Sequence, residues 1–319
     1  MQEYVMGNGA IALGALAAGV NLVAGYPGTP SSEILETISK YRHDGVYIEW
    51  SVNEKAAMEV AAAAAYSGAR AMVTMKQVGL NVAADPLMSL AYVGVKGGMV
   101  IVSADDPGPI SSQTEQDTRR FADFCRIPVF DPSSPEEAYK MIGDAFEYSE
   151  KYNTPVLFRP TTRVCHAYAS IDNCDSPSPK KYEGFVKDSK KWVIFPRLSF
   201  ANHIMIEKRN VEIGKDFSTY SANKAEGRNS EKAVVTSGIS YAYTKECLKD
   251  YPDVKLIKIA TAYPFPEDFV LSSLEGTKEV LCIEELSPFI EEQILKLTGK
   301  HGLQLKVSGK LDGKVQAGG

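Results

Sequence analysis

Closely spaced cysteines are missing from this sequence of 319 residues. Its five cysteines are scattered along the chain, at Cys125, Cys165, Cys174, Cys247 and Cys282. None belongs to a CxxC pair, and only Cys165 has a histidine beside it, the adjacent His166, which points in a different direction. We therefore interpret them as reduced structural or surface thiols and expect no metal ligands. An iron–sulfur cluster needs several neighbouring thiolates, so any such centre would lie on another chain or domain.

Long apolar runs and an excess of basic residues are also missing. The longest apolar stretches, such as residues 10–18 and 60–65, are far shorter than the roughly 20 residues that cross a bilayer. The formal net charge of −5 provides no basic surface for nucleic acid. The first ten residues, MQEYVMGNGA, lack the basic region of a secretory signal. We expect a cytoplasmic protein that binds neither nucleic acid nor membrane.

The common nucleotide fingerprints are absent. Gly7, Gly9 and Gly14 do not have the GxGxxG spacing, and no GxxxxGK[ST] sequence occurs. Gly143-Asp144 followed by Asn173 superficially resembles a GD…N signature for magnesium and a diphosphate. We discount it because Gly143-Asp144 falls inside a predicted helix instead of at the end of a strand.

What the sequence does contain is a regular alternation of strand-like and helical segments, with 44% hydrophobic residues, enough for a full core. Strands are predicted at residues 21–26, 46–50, 71–75, 99–103 and 155–159. Ser134-Pro135-Glu136-Glu137 combines a helix cap with proline in the first turn and predicts a helix to about Tyr152. The alternation predicts an α/β fold, a parallel sheet with helices on both faces.

The length suggests about two domains. We predict a first domain over residues 1–170 and an irregular interdomain connection over 171–232, where prolines, serines and charges interrupt the pattern. Alternation resumes in a smaller α/β domain over 233–308, and residues 309–319 form a polar tail.

Residues 46–87 are the most informative stretch: a strand, then Glu54, an alanine-rich helix, a second strand and a glycine turn. One explanation of Glu54 is simple stabilisation of the helix dipole. The other is proton transfer, for which enzymes hold a carboxyl in an apolar βα unit. The turn at residues 26–32 strengthens the second explanation. Its prolines stiffen the loop, Gly28 permits close approach, and Thr29 offers a hydroxyl at the sheet edge where ligands bind.

Five blocks carry a family resemblance: residues 26–32, 49–65, 79–87, 104–107 and 111–117. Together they resemble the amino-terminal half of the indolepyruvate:ferredoxin oxidoreductase alpha subunit, a thiamine-diphosphate-dependent 2-oxoacid:ferredoxin oxidoreductase. The resemblance covers nearly the whole chain. It implies a pyrimidine-binding domain, which binds the aminopyrimidine ring of the cofactor, followed by a transketolase-carboxyl-terminal-like domain.

The same resemblance implies roles for particular residues. Glu54 would be catalytic and would bind the aminopyrimidine, Thr29 would contact the substrate, and Gly28 and Asn81 would line the cofactor site. Asp85 would lie on the neighbouring loop. The reaction implied is oxidative decarboxylation of indolepyruvate or other arylpyruvates to arylacetyl-CoA.

The family also implies components that these residues do not contain. These are a diphosphate-binding domain or subunit with magnesium, a [4Fe-4S] domain, a beta subunit, ferredoxin and coenzyme A. We therefore expect the chain alone to hold half of a shared thiamine diphosphate site and to be inactive. Two positions depart from the family pattern: Gly9 replaces a usual glutamate, and Gln77 replaces the histidine that follows a lysine. Glutamine cannot shuttle protons as imidazole can, which puts substrate range or activity in question.

Alternative interpretations stay open. A non-oxidative thiamine-dependent lyase or decarboxylase would use the same glutamate, and a non-catalytic dimerisation scaffold would keep only the fold. The alanine run at residues 61–65 fits either a homodimer interface or ordinary packing of a helix on a sheet.

Overall fold

The computed structural model describes residues 2–42, 44–172 and 178–318. Its strands, in chain order, are β1 (Gln2–Met6), β2 (Leu22–Gly25), β3 (Tyr47–Trp50), β4 (Ala71–Lys76), β5 (Met99–Ala104), β6 (Val129–Phe130), β7 (Val156–Phe158), β8 (Tyr168–Asp172), β9 (Lys224–Glu226), β10 (Lys232–Ser237), β11 (Lys255–Ile259), β12 (Glu279–Ile283) and β13 (Lys306–Ser308). Its helices are α1 (Gly7–Ala17), α2 (Ser32–Tyr41), α3 (Glu54–Tyr66), α4 (Gln77–Val82), α5 (Ala84–Val93), α6 (Thr118–Cys125), α7 (Pro135–Tyr152), α8 (Thr162–His166), α9 (Ser189–Trp192), α10 (Pro196–Ser218), α11 (Ser240–Cys247), α12 (Glu267–Ser273) and α13 (Phe289–His301).

The first sheet is parallel throughout and has the strand order β3-β2-β4-β5-β7-β6. Alternate residues of its strands face opposite sides, because successive side chains of a strand alternate. Val73 and Ile101 pack in one core cluster with α3 and α5, whereas Met72 and Val100 pack in another with α1, α2 and α7. The predicted parallel sheet with helices on both faces is confirmed.

The second sheet has the order β13-β12-β10-β11-β9. Its strands run parallel except β9, which is antiparallel to β11 at the edge. The strand and helix order from β10 to β13 follows the alternation predicted for residues 233–308. A separate antiparallel pair, β1 with β8, was not predicted from the sequence.

Helix α7 forms as its cap predicts. The Ser134 side chain accepts a hydrogen bond from the Glu137 amide, and Pro135 occupies the first turn. Gly143 and Asp144 lie inside this helix, so their resemblance to a magnesium signature is accidental; Asn173 lies outside the described residues. No group of three or more metal-ligating residues is found in the described ranges.

The prediction that residues 171–232 are irregular is wrong, because they contain α10, a helix of 23 residues. Pro196 favours the prediction of an irregular segment, because proline breaks the interior of a helix. Proline is favoured in the first turn of a helix, however, and Pro196 is the first residue of α10. Ile206, Ile213 and Phe217 form the helix's buried stripe. The domain division at residues 170 and 232 stays a prediction.

Helix α10 contacts elements of both sheets. The ring of Phe217 meets Phe130 of β6 edge-on, with 5.3 Å between ring centroids. The Asn210 side chain donates to the Arg126 carbonyl oxygen and to Tyr263, which follows β11. Among the described residues, no helix is both long and apolar enough to cross a membrane.

We predict that Phe217→Ala lowers the free energy of unfolding by about 3–5 kcal/mol, because it leaves a cavity where a fully buried ring had packed. Phe200→Ala on the same helix is the matched control, since Phe200 is 71% exposed, and should change it by less than about 0.5 kcal/mol. Denaturant unfolding monitored by circular dichroism measures both. Equal losses in the two variants would contradict the packing of α10.

Candidate functional site

The sequence-predicted site residues gather at the carboxyl edge of the first sheet. Strands β3, β2, β4 and β5 are neighbours and run in the same direction, so their carboxyl ends lie together. Glu54 follows β3, the turn of residues 26–32 follows β2, and Lys76 ends β4. This is the edge at which open parallel sheets bind ligands.

Glu54 begins α3, but it does not cap the helix. That task falls to Asn53, whose side-chain oxygen accepts from the Ala56 amide at 2.9 Å. The half-buried Glu54 carboxyl is packed instead against Gly79: a Cβ atom added there would stand 2.5 Å from Oε1. Within the described ranges the carboxylate has no hydrogen-bond or ion-pair partner. Glycine at position 79 therefore gives an unpaired carboxylate room against the backbone of α4.

Gly28 leaves room for the side chain of Lys76, a residue that was not predicted from the sequence to belong to the site. A Cβ atom at Gly28 would lie 3.1–3.2 Å from Cδ and Cγ of Lys76, so the lysine chain passes directly over the glycine. The turn is held by Ser32, whose hydroxyl accepts from the Gly28 amide at 2.8 Å, and by Ser31, which donates to the Gly28 carbonyl. The sequence signal that could have identified Lys76 is its position as the last residue of strand β4, at the edge where ligands bind.

Thr29 and Asn81 are exposed and both contact the segment of residues 107–116. The Thr29 carbonyl accepts from the Ser111 hydroxyl at 3.3 Å, and the Asn81 amide donates to Gln116 at 3.0 Å. Asp85, in contrast, points away into an exposed ion pair with Lys55.

Gln77 and Gly9 are the two departures from the family pattern. Gln77 is fully buried and donates to the Thr114 carbonyl at 3.3 Å, while its Oε1 atom has no partner among the described residues. A Cβ atom at Gly9 would have only Val5 nearby, at 3.5 Å, so the backbone there leaves room for a side chain.

Asp106 holds the segment of residues 107–116 in place. Its carboxylate accepts from the amides of Ile110 and Ser111, at 3.1 and 2.9 Å, and from the Thr162 hydroxyl at 2.7 Å. Burial opposes ionisation of Asp106, but the hydrogen bonds from Ser111 and Thr162 outweigh it and keep its pKa below the ordinary value.

The alanine run of α3 is largely internal. Ala61 and Ala65 are fully buried within this chain and Ala62 nearly so, against strands of the first sheet and against α5. Packing of a helix on a sheet accounts for these three alanines, whereas Ala63 of the same run is exposed.

Comparison with known proteins defines the class. The family model described as pyruvate flavodoxin/ferredoxin oxidoreductase, thiamine diphosphate-binding, matches residues 13–226. The chain belongs to this family, and the match contains the carboxyl edge that carries Glu54, Gly28 and Thr29.

Among curated relatives, the chain is 42% identical over 315 residues to the indolepyruvate oxidoreductase subunit IorA of Thermococcus kodakarensis, covering 96% of this chain and 49% of that protein. It is 42% identical to the IorA subunit of Methanothermobacter thermautotrophicus, covering 98% and 51%. The resemblance seen in the sequence is confirmed, and the chain spans about half the length of these relatives.

A solved structure shares the fold. A 2-oxoglutarate:ferredoxin oxidoreductase from Magnetococcus marinus superimposes with a TM-score of 0.77 at 17% identity, over 97% of this chain and 62% of that one. At this identity the likeness concerns the fold alone, and it includes both sheets.

We predict that Asp106→Ala lowers the free energy of unfolding by about 1–3 kcal/mol at neutral pH. The substitution leaves the Ile110 and Ser111 amides without a hydrogen-bond acceptor. The Asp106 carboxylate has a lowered pKa, so its stabilisation is present above the unfolded pKa of about 4 and is lost as pH falls through the folded value. The difference in free energy of unfolding between the wild type and Asp106→Ala should therefore become smaller at acidic pH.

The control is Asp85→Ala, which removes only an exposed ion pair and should cost less than about 1 kcal/mol. Denaturant unfolding from pH 3 to 7 and limited proteolysis of residues 107–116 provide the two readouts. A difference that does not depend on pH would refute the assigned role of the carboxylate.

Proposed function

We propose that this chain supplies the aminopyrimidine side of a thiamine diphosphate site in an oxidoreductase that decarboxylates 2-oxoacids. The substrates proposed are indolepyruvate and other arylpyruvates, converted to arylacetyl-CoA with electrons passed to ferredoxin. The observation that carries the proposal is the unpaired Glu54 carboxylate at the carboxyl edge of the first sheet, backed by Gly79.

The residues at this edge are compatible with the cofactor. Gly28 and Gly79 each lack a side chain where a Cβ atom would meet Lys76 or Glu54, so these glycines let the lysine chain and the carboxyl group lie directly against the backbone. Gln77 keeps a buried amide oxygen without a partner in the described ranges, a second polar atom available to a ligand at this edge. An unpaired carboxyl group at this edge and a buried acceptor without a partner are compatible with an aminopyrimidine.

In the proposed mechanism, Glu54, Thr29 and Lys76 each have one role. Bound thiamine diphosphate supplies an electron sink that makes loss of carbon dioxide from a 2-oxoacid feasible. Glu54 would hold a proton at its carboxyl oxygen, facing the ring nitrogen of the aminopyrimidine, and so act as the acid–base group. Thr29 would donate its hydroxyl to the substrate's carboxylate or carbonyl oxygen. Lys76, beside Gly28, would add positive charge near an anionic substrate.

The remaining parts of the reaction are assigned to other components. We propose a diphosphate-binding domain or subunit with magnesium, a [4Fe-4S] centre, a beta subunit, coenzyme A, ferredoxin and a homodimeric assembly. The half-length match to the curated relatives supports a site that is completed by a second component.

We predict that Glu54→Gln lowers thiamine-dependent oxidation of arylpyruvates by roughly 10²-fold or more, because an amide cannot exchange the proton. Glu59→Gln on the same helix is the control, since Glu59 is exposed, and should leave activity unchanged. The protein with its co-purifying subunits is assayed by ferredoxin reduction and by product analysis. In parallel, calorimetric titration measures binding of thiamine diphosphate and magnesium.

Each outcome separates the competing functions. Loss of both oxidation and carbon dioxide release in Glu54→Gln supports the assignment. Arylacetaldehyde as the product, without ferredoxin reduction, would favour a non-oxidative lyase. If binding and activity do not respond to Glu54→Gln, Glu54 is excluded as the acid–base group. If the protein is a scaffold that binds no cofactor, titration with thiamine diphosphate and magnesium would give no heat of binding.

We further predict that Gly79→Ala reduces the same activity by roughly 10²-fold, because its methyl group forces the Glu54 carboxyl out of place. Gly299→Ala in α13 is the control: a Cβ atom there meets nothing within 4 Å, and alanine is the better helix former. Circular dichroism verifies that both variants are folded. Full activity in Gly79→Ala would show that the observed position of Glu54 does not matter.

A further inference from the structure

A cavity of about 490 Å³ lies away from the proposed active site, among α5, α7, α9 and α10. Gly94 and Val95, which line it, precede β5, and Asn153 precedes β7. The cavity therefore opens at the amino edge of the first sheet, whereas Glu54 stands at the carboxyl edge. It was not recognisable from the sequence, because α10 was predicted as irregular chain.

Arg209 of α10 is the unusual residue of this cavity. Its side chain lines the space and is only 8% exposed, yet its Nε and Nη2 atoms have no hydrogen-bond partner among the described residues. Burial lowers the pKa of Arg209 to about 10, which still leaves it charged at neutral pH. Burying an unpaired charge is costly unless a counter-charge is supplied.

Other charges around the cavity are mostly positive. Lys190 and Lys191 line it, and neither has a carboxylate partner in the described part of the chain. Lys151 also lines it but is paired with Asp216. Glu212 is the one carboxylate in the lining.

Nearby helix ends do not satisfy the guanidinium. Helices α5 and α7 end at Val93 and Tyr152, both in the lining, and helix carboxyl ends carry partial negative charge that attracts cations. Their carbonyl groups nevertheless leave the two Arg209 donors unbonded. Two donors of a side chain that lines the cavity are thus left without a partner among the described residues.

We propose that this cavity binds the phosphate group of a small molecule, with Arg209 as its buried ligand and Lys190 and Lys191 at its rim. The planar donor fork of arginine matches phosphate oxygens, and three cations without a carboxylate partner suit a dianion better than a single carboxylate, although Lys191 also lies 4.4 Å from the centroid of the Trp192 ring. The apolar side chains of Leu198 and Met205 complete the lining and leave room for an organic body. This proposal is independent of the function assigned to the opposite edge.

The test is calorimetric titration of the purified protein, with any subunits it carries, using inorganic phosphate as the probe and acetate as the comparison. We expect saturable phosphate binding that weakens at least roughly tenfold in Arg209→Met, since hydrogen bonds to a charged group are lost. Arg228→Met is the matched control, because Arg228 is exposed, and should bind as wild type does.

A second variant keeps the test decisive if Arg209→Met fails to fold. The double substitution Lys190→Met and Lys191→Met alters only the rim and should weaken binding while leaving unfolding unchanged. Absence of saturable binding in the wild type, equal binding in Arg209→Met and Arg228→Met, or displacement of phosphate by equimolar acetate would each overturn the proposal.

Discussion

The buried guanidinium group of Arg119 joins the carboxyl edges of the two sheets, and that of Arg159 links two strand ends of the first sheet. Their carboxylate partners follow strands of either sheet or flank α6: Asp105, Asp117, Asp131 and Glu284. Arg119 also donates to carbonyl oxygens of Glu285 and Ser287 beyond β12. Such a network stabilises a protein little more than apolar side chains of the same volume would. Removal of one partner, however, leaves a buried charge unpaired and costs about 3–5 kcal/mol. It therefore favours one arrangement of the sheets over others.

The candidate site depends on the same network through the segment of residues 107–116. Asp105 and Asp117 flank this segment, and each is held by a buried arginine. The segment in turn contacts Thr29 through Ser111 and Gln77 through Thr114. The positions of Thr29 and Gln77 thus depend on ion pairs in which neither residue takes part.

Local signals in the sequence predicted the fold well, and contacts between distant segments account for what it did not reveal. Continuous apolar runs placed β4 and β5, and the Ser134-Pro135 cap placed α7, because each signal lies within a few residues. Glu54 and Gly28 were predicted as site residues from their places in βα units and from the family blocks. In contrast, the contact between Lys76 and Gly28 joins different βα units, and the ion pair of Arg119 with Glu284 spans 165 residues. No local pattern reports such pairings.

The carboxylates near the first sheet's edge show why we propose Glu54 for the acid–base role. Asp105 and Asp117 neutralise arginines, and Asp106 accepts from backbone amides, so protonating any of them would break a structural contact. Glu49 is likewise engaged, by the hydroxyls of Tyr47 and Ser51. Among these acids, Glu54 alone has no hydrogen-bond or ion-pair partner in the described ranges, so no structural contact depends on its carboxyl group. The proposed acid–base role requires a carboxyl group that is free of structural contacts, and Gly79 leaves the space in which the Glu54 carboxyl lies.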